Sequence, residues 1–191
     1  MRVIALTGPA RAGKTTVAGM IAEVLGDSQS VRVEAFADRL KISAARALGF
    51  SGTPEELIAN MDALKTGGHL VVSGGDLPAP FIVSGRQFLQ RYGTEAHRDI
   101  FGPDFWIDAI LPPGGRCDAD VLVIHDLRFD NEARRVHDYG GEVWKIERPG
   151  ATLTADHPSE AGIDRSLIDR VIVNDGSLPR LRAAVAAALT A

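Results

Sequence analysis

The sequence predicts an α/β fold in which a parallel sheet is covered by helices on both faces. Apolar segments with strand character alternate with amphipathic segments along the chain, an order typical of parallel strands joined by crossover helices. The continuous apolar run at 121–124 (VLVI) is expected of a strand buried on both faces. No repeat, low-complexity linker or shift of composition interrupts the 191 residues, so 1–191 is predicted to be a single domain.

The N-terminal elements follow from periodicity and capping. Residues 2–7 form a short apolar strand. The next segment carries apolar residues at i, i+3, i+4, i+7 and i+8, which indicates a helix that Gly26 terminates. Residues 31–36 (VRVEAF) alternate as a strand does, and Asp38 is a suitable N-cap for a helix extending to about residue 48.

The middle of the chain contains two capping signals. Residues 53–56 (TPEE) combine a capping box with proline at the first helical position. Residues 84–87 (SGRQ) have the same capping-box spacing and open a helix predicted to end at Arg98. A further helix is predicted at 104–110. The glycine-rich stretch 66–83 has no assignment.

The C-terminal part repeats the strand–helix alternation. The apolar run that begins at Val121 is predicted as a strand to 126, and the segment after it as a helix ended by glycine. Residues 148–165 are polar and irregular. The remaining predicted elements are strands at 142–147 and 170–175 and a closing helix at 178–190.

Charge and cysteine content exclude several classes of protein. The formal net charge is −4 and no basic run is present, so neither nucleic acid nor an anionic membrane is expected as a partner. Cys117 is the only cysteine, so no internal disulfide can form. No apolar stretch approaches the roughly 20 residues that span a bilayer, and the N-terminus leaves no room for a signal peptide. We therefore expect a cytoplasmic protein.

The segment GPARAGKTT at 8–16 fits the phosphate-loop pattern G-x-x-x-x-G-K-[ST] between a strand and an amphipathic helix. In such a loop the backbone N–H groups and the positive end of the helix dipole bind phosphate. Lys14 is expected to reach the β- and γ-phosphates, and the Thr15 hydroxyl to ligate Mg²⁺. The residues expected to hold the triphosphate are Ala10, Arg11, Ala12, Gly13, Lys14, Thr15 and Thr16.

A small kinase is the class that remains for a phosphate-loop chain of this length. A GTPase switch requires a guanine-reading Asn-Lys-x-Asp, and no Asn-Lys pair occurs. Ring-forming motors require a larger module. A kinase needs a second phosphate site, and Arg86 in the first turn of the helix at 85–98 is a candidate, with a solvated helix arginine as the alternative. Trp106 and Phe105 could stack on a base, with core packing as the alternative.

Asp126 and Arg128 lie where the strand at 121–126 ends. Ligands of open α/β sheets bind at the carboxyl ends of the strands, so Asp126 is a candidate Mg²⁺ ligand and Arg128 a candidate phosphate ligand. The alternative is that this segment only caps the next helix, a role that suits Asp130. Residues 148–165 contain Arg148, His157, Glu160 and Arg165, and they form either a solvated loop or a lid that brings an arginine to the transferred phosphoryl group.

Several stretches together resemble the phage deoxynucleoside monophosphate kinase family. Beyond the phosphate loop, the stretches that match in the family's order are FADRLK at 36–41, GRQFLQRYGTEAHRDIFGPDFWID at 85–108, DLRFDNEARRVHDYGGEVWKIERPG at 126–150, HPSEAGI at 157–163 and VIVNDGSLPRL at 171–181. The stretch 66–83 matches no motif of the family, and Arg39 stands where proline is common.

The resemblance implies a nucleoside-monophosphate-kinase-like P-loop fold with five parallel strands, ordered 2-3-1-4-5, and a lid at about 148–165. It implies phosphorylation of deoxynucleoside monophosphates by MgATP, without a covalent intermediate. Lys14, Arg128, Arg148 and Arg165 are then expected to be catalytic, and Asn174 and Asp175 to lie near the ATP adenine. The acceptor is expected to contact Phe36, Lys41, Arg86, Tyr92, Trp106, Arg128, Glu132 and Glu160.

Three alternatives stay open at this point. The phosphate loop and a similar SEAGI-type piece also resemble phosphomevalonate kinases of the animal type, and more distantly dephospho-coenzyme A kinase. A module that binds ATP as a switch, without an acceptor, is the non-enzymatic alternative. A homodimer is compatible with the family, and a phage-encoded protein would act in the host cytoplasm.

Overall fold

The computed structural model describes residues 1–73, 81–115, 118–151 and 162–190 as alternating strands and helices. The N-terminal elements are β1 (Arg2–Thr7), α1 (Lys14–Leu25), β2 (Val31–Glu34), α2 (Phe36–Ala47), α3 (Pro54–Gly67), β3 (His69–Val72), β4 (Phe81–Ser84) and α4 (Gly85–Gly93). A π-helical turn (Thr94–Arg98) follows, then α5 (Asp99–Phe101), α6 (Phe105–Asp108), β5 (Val121–Ile124), α7 (Asp130–Asp138), β6 (Glu142–Glu147), a 3₁₀ turn (Arg165–Leu167), β7 (Arg170–Val173) and α8 (Leu178–Thr190).

Five of these strands form one parallel sheet in the order β2-β5-β1-β6-β7. Counted within this sheet alone, that order is 2-3-1-4-5, so the predicted topology is confirmed. β1 is the central strand because it is apolar on both faces, and the four residues of β5 beside it are all buried.

Helices cover the two faces of this sheet. Ile4 and Leu6 of β1 pack in the same buried cluster as one face of α1 and of α8. Alternate strand residues point to opposite faces, and the other face meets α7: a Cβ on Gly141 would touch both Val3 of β1 and Val136 of α7. The α1 face predicted from its apolar spacing is therefore the face that is buried.

The chain divides into two compact units. The first unit, Met1–Phe36 with Leu111–Ala191, contains the parallel sheet, and the second is Ala37–Ile110. In the second unit, helices α2, α3 and α4 share a small core that includes Ala44, Leu57 and Met61. The second unit is thus inserted in sequence between two segments of the first. The interpretation of 1–191 as a single domain stays a prediction.

The segment that the sequence left without an assignment contains an antiparallel hairpin of β3 and β4. The helix predicted at 85–98 is an α-helix only to Gly93 and then widens into the π-helical turn. Among the described residues, no helix is both long enough and apolar enough to cross a membrane.

A polar network joins strands at the amino end of the sheet. The Glu142 carboxylate accepts from the Trp144 indole at 2.7 Å, from Arg170 Nε at 2.8 Å and from Arg2 Nη2 at 3.3 Å, and Arg2 also donates to the carbonyl of Leu189. Burial raises the pKa of Glu142, but these hydrogen bonds and cations outweigh burial and leave the pKa below its ordinary value.

Candidate active site

The loop between β1 and α1 has a backbone that requires glycine at two positions. Gly8 has φ of +132° and Gly13 has φ of +104°, and Arg11 between them has φ of +62°. A Cβ on Gly8 would lie 2.3 Å from the carbonyl oxygen of Ile146. The loop therefore closes tightly against β6, and α1 begins at Lys14 with its N-terminal amides at the loop.

Asn174 at the end of β7 supports the same loop. Its Nδ2 donates to the carbonyl of Ala12 at 2.8 Å, and a Cβ on Gly13 would lie only 2.7 Å from that nitrogen. The family resemblance implied a position near the adenine of ATP for Asn174, which stays a prediction; in the structure its side chain contacts the phosphate loop. The neighbouring Asp175 is exposed and pairs with Arg180 at 3.6 Å.

Lys14 belongs to a cluster of charged side chains that follows two adjacent strands. Its Nζ donates to the carbonyls of Gly8 and Pro9 at 2.7 and 2.9 Å. Burial lowers the pKa of Lys14, the nearby Arg128 lowers it further, and Asp126 acts in the opposite direction. Because β1 and β5 are neighbours, the loops that follow them bring Lys14, Asp126 and Arg128 together.

Thr15 and Asp126 offer the oxygen donors that Mg²⁺ prefers. Thr15 is exposed in the first turn of α1, and Asp126 Oδ1 accepts the backbone N–H of Phe36 at 2.7 Å, which fixes the carboxylate. No group of three His, Cys, Asp or Glu side chains suited to a metal occurs within the described ranges. These two residues fit a magnesium ion that takes its other ligands from water and phosphate oxygens.

Glu132 fixes the backbone that carries Arg128. The Glu132 side chain is buried, with 2% of its surface exposed, and its carboxylate accepts from the backbone N–H groups of Arg128 at 2.7 Å and Phe129 at 3.1 Å. Glu132 thus caps α7, whereas Asp130 accepts from the N–H of Asp164. The sequence assigned Glu132 to the acceptor; a direct contact with the acceptor stays a prediction, because the observed contacts are with backbone N–H groups.

The predicted lid is only partly within the described residues. Arg148 is exposed and lies with Nη1 at 3.4 Å from the carbonyl of Arg11, so it reaches the phosphate loop. Arg165 is exposed in the 3₁₀ turn. Glu160 and His157 lie outside the described residues.

The predicted acceptor residues of the second unit are largely engaged in its interior. Lys41 Nζ lies 3.0 Å from Asp62, and the Tyr92 hydroxyl lies 2.9 Å from Ser43 Oγ. Trp106 is only 4% exposed and donates to the carbonyl of Gly93 at 3.0 Å. Core packing, the alternative reading of Trp106, is what the structure shows.

Two further predicted contacts differ in exposure. Arg86 is exposed in the first turn of α4, between Ser84 and Gln87, whose side chains form the capping box. Phe36 is buried, with 3% of its surface exposed, and it meets Asp126 through its backbone N–H. The Phe36 side chain is therefore covered by other parts of the protein.

A groove of about 550 Å³ between α1 and α8 was missed by the sequence reasoning. It starts at Thr15 and Thr16, continues past Gly19 and Met20, and is closed on the other side by residues of α8. The α8 residues are Leu178, Pro179 and Arg182. Periodicity could not have found this groove, because Met20 fits the apolar spacing of a buried helix face equally well.

The fold and this site define a P-loop kinase. The phosphate loop, which requires glycine at positions 8 and 13 and carries Lys14, follows the central strand β1. Asp126 and Arg128 follow the adjacent strand β5.

Within that class, the chain belongs to the deoxynucleotide monophosphate kinase family. The family model described as "Deoxynucleotide monophosphate kinase" matches residues 80–185. The matched range starts after the phosphate loop at 8–16, so the loop is an additional and separate observation. Membership of a kinase family implies the use of a nucleotide and a metal ion.

Curated relatives agree with this family. A protein of Acanthamoeba polyphaga mimivirus, provisionally named a deoxynucleotide monophosphate kinase, is 30% identical over 93% of this chain and 91% of its own length. The deoxynucleoside-5'-monophosphate kinase of Escherichia phage T5 is 32% identical over 48% of this chain. The deoxynucleotide monophosphate kinase of Escherichia phage RB69 is 31% identical over 50% of it. The chain spans only 40% and 41% of those two phage enzymes.

Proposed function

We propose that this protein phosphorylates deoxynucleoside monophosphates with MgATP, giving deoxynucleoside diphosphates and ADP. The observation that carries the proposal is the grouping of Lys14, Asp126 and Arg128 at the ends of two adjacent parallel strands. Lys14 and Asp126 suit a metal–triphosphate complex, and Arg128 suits the phosphate that receives the phosphoryl group.

The donor is proposed to bind on the phosphate loop. The amides of residues 10–16 and the N-terminus of α1 bind the β- and γ-phosphates, while Lys14 neutralises their charge. The adenosine is proposed to lie in the groove of about 550 Å³ that starts at Thr15 and Thr16. Thr15 and Asp126 hold Mg²⁺, which screens the phosphate charges when it is bound.

The transfer is proposed to be a direct in-line displacement. An oxygen of the acceptor monophosphate forms the new bond to the γ-phosphorus as the bond to the bridging oxygen of ADP breaks. Arg128, held by Glu132 through its backbone, stabilises the charge on the moving phosphoryl group, and Arg148 does the same from the edge of the phosphate loop. Catalysis then comes from position and charge, without a protein nucleophile.

A coupled assay that follows ADP tests the activity. The protein is mixed with MgATP and, separately, with dTMP, dGMP, dCMP or dAMP, and at least one monophosphate is expected to stimulate ADP formation. The same panel identifies the preferred base. If no monophosphate stimulates ADP formation although ATP binds, the protein is an ATP-binding switch; turnover of phosphomevalonate alone would assign it to that class of kinase.

The assignment of Arg86 to the acceptor phosphate is tested by a pair of variants on α4. Arg86→Ala is expected to raise the KM for the monophosphate at least about tenfold, since a charge-assisted bond to phosphate is lost. The KM for ATP should stay within about twofold. Arg91→Ala is the control, because Arg91 is exposed on the same helix and pairs with Glu95 at 3.8 Å. Equal effects of Arg86→Ala on both substrates would show that Arg86 is misassigned.

Two looser expectations belong to this proposal. A homodimer is tested by light scattering coupled to size-exclusion chromatography. A cytoplasmic site of action, where ATP and deoxynucleoside monophosphates occur, is tested by fractionation of the producing cells.

A further inference from the structure

The groove between α1 and α8 is continuous with the phosphate loop. Its lining begins at Thr15 and Thr16, which directly follow Lys14 in the first turn of α1. Thr16, Gly19 and Glu23 are spaced i, i+3 and i+7, so they follow one face of the helix over about 10 Å. A ligand whose phosphates lie on the loop can therefore place its other end in this groove.

The walls of the groove combine apolar surface with one ion pair. Met20 on the α1 side and Leu178 and Pro179 on the α8 side are apolar, and Leu178 keeps 64% of its surface exposed. Farther from the loop, Glu23 and Arg182 form an ion pair between the two helices. Apolar walls with a small number of polar groups are typical of sites that bind small organic ligands.

Gly19 is the unusual residue of this lining. It is exposed in the interior of α1, a position where glycine makes a helix less stable than alanine would. Its φ is not positive, and within the described part of the chain an added Cβ would meet nothing closer than 4 Å. Neither backbone conformation nor packing therefore calls for glycine here, and the space that it leaves belongs to the groove.

The two helices hold their spacing without Gly19. Ala18 and Ile21 of α1 share a buried cluster with Leu181 and Val185 of α8. All of these residues belong to the first unit, as does the phosphate loop. The groove is thus a preformed feature of that unit, and its depth at position 19 comes from the missing side chain and not from a gap between badly packed helices.

We propose that Gly19 is a specificity-determining residue for the nucleoside of the triphosphate donor. Its missing side chain leaves room for the sugar and base beside Met20 and Leu178. The pair of Glu23 and Arg182 closes the far end of the groove and offers the base hydrogen-bond acceptors and donors. The inference rests on one part of the proposed function, namely that a nucleoside triphosphate binds on the phosphate loop.

Gly19→Leu tests the proposal, because leucine favours a helix and fills the groove. We expect the Kd for MgATP, measured by calorimetry, to rise at least about tenfold, since the new side chain occupies the space of the nucleoside. Inorganic tripolyphosphate has no nucleoside, so its Kd should stay within about twofold of the parental value. The melting temperature without ligand should rise by about 2–4 °C. A purely structural role of Gly19 would not combine a gain of stability with a selective loss of nucleotide.

Gly67→Leu is the matched control. Gly67 is an exposed residue at the end of α3, and an added Cβ there also meets nothing within 4 Å among the described residues. This variant should leave the Kd values for MgATP and tripolyphosphate at their parental levels. If Gly19→Leu does not fold by circular dichroism, Gly19→Gln takes its place, since glutamine also favours a helix and fills the same space.

The outcomes distinguish this inference from the proposed function. An active parent whose Gly19→Leu or Gly19→Gln variant keeps the parental Kd for MgATP would overturn only the role of Gly19. So would equal losses of affinity for MgATP and tripolyphosphate, because the loop and not the groove would then be disturbed. A parent that forms no ADP with any of the four monophosphates would overturn the proposed function, whereas a selective loss of MgATP binding in Gly19→Leu would still support the groove.

Discussion

Glu132 provides the sharpest test of how the site is built. Glu132→Ala removes a buried carboxylate that accepts two backbone N–H groups, at 2.7 and 3.1 Å. A hydrogen bond to a charged group contributes about 1.5–3 kcal/mol. Because Arg128 is exposed, water can replace part of the bond that its backbone N–H loses. We therefore expect the free energy of unfolding to fall by about 3 kcal/mol, and the melting temperature of a chain of this size by about 6–12 °C.

Urea denaturation measures this loss. The m-value should be the same in the variant and the parent, because a changed m-value would mean that more than stability has changed. Glu132→Gln keeps an acceptor oxygen but not the charge, so its loss should be about 1 kcal/mol. Glu95→Ala is the control, because that carboxylate is exposed and 3.8 Å from its partner Arg91, and it should change stability by less than about 0.5 kcal/mol. If Glu132→Ala costs less than about 1 kcal/mol, the capping argument is wrong.

Three other predictions follow from the described contacts. Gly8→Ala should cost more than about 3 kcal/mol, because its Cβ would collide with a backbone carbonyl at a φ of +132°, whereas Gly140→Ala, at φ of +67° with open space around it, should cost about 1–2 kcal/mol in the same denaturation experiment. Asn174→Ala removes the bond to the carbonyl of Ala12 and should raise the KM for ATP about five- to tenfold while leaving the KM for the monophosphate unchanged. The pKa of Glu142 is lowered in the folded state, so its stabilising contribution is present above the ordinary value of 4.5 and is lost as the pH falls through the folded pKa; Glu142→Gln should flatten the acid limb of a stability–pH curve, and an unchanged limb would contradict the network.

Local sequence rules predicted most of the first unit. The phosphate loop, the apolar strands and the amphipathic helix α1 are properties of short segments, because turn chemistry and periodicity act between near neighbours. The strand order 2-3-1-4-5 came with the family resemblance and was confirmed. The antiparallel pair of β3 and β4 was missed because each strand has only four residues and the eight residues between them, 73–80, are more than a two-residue hairpin turn needs.

The roles of single side chains were less predictable. Trp106 and Phe36 were assigned to the acceptor from their place in a motif, but both side chains are buried. The acidic residue that caps α7 is Glu132 and not Asp130, although either carboxylate is close enough in sequence. A motif identifies which residues occur together, and it does not say which face of an element is covered by another part of the chain.

The sequence by itself therefore determined that this chain has a parallel α/β sheet with a triphosphate loop after its first strand. Only the tertiary structure decided that Glu132 holds the backbone of Arg128, that Asn174 supports the loop from more than 150 residues away, and that a π turn follows α4. The physical reason is range: propensity and turn chemistry are set within a few residues, whereas these contacts depend on which strands become neighbours and which side chains fill the spaces between them.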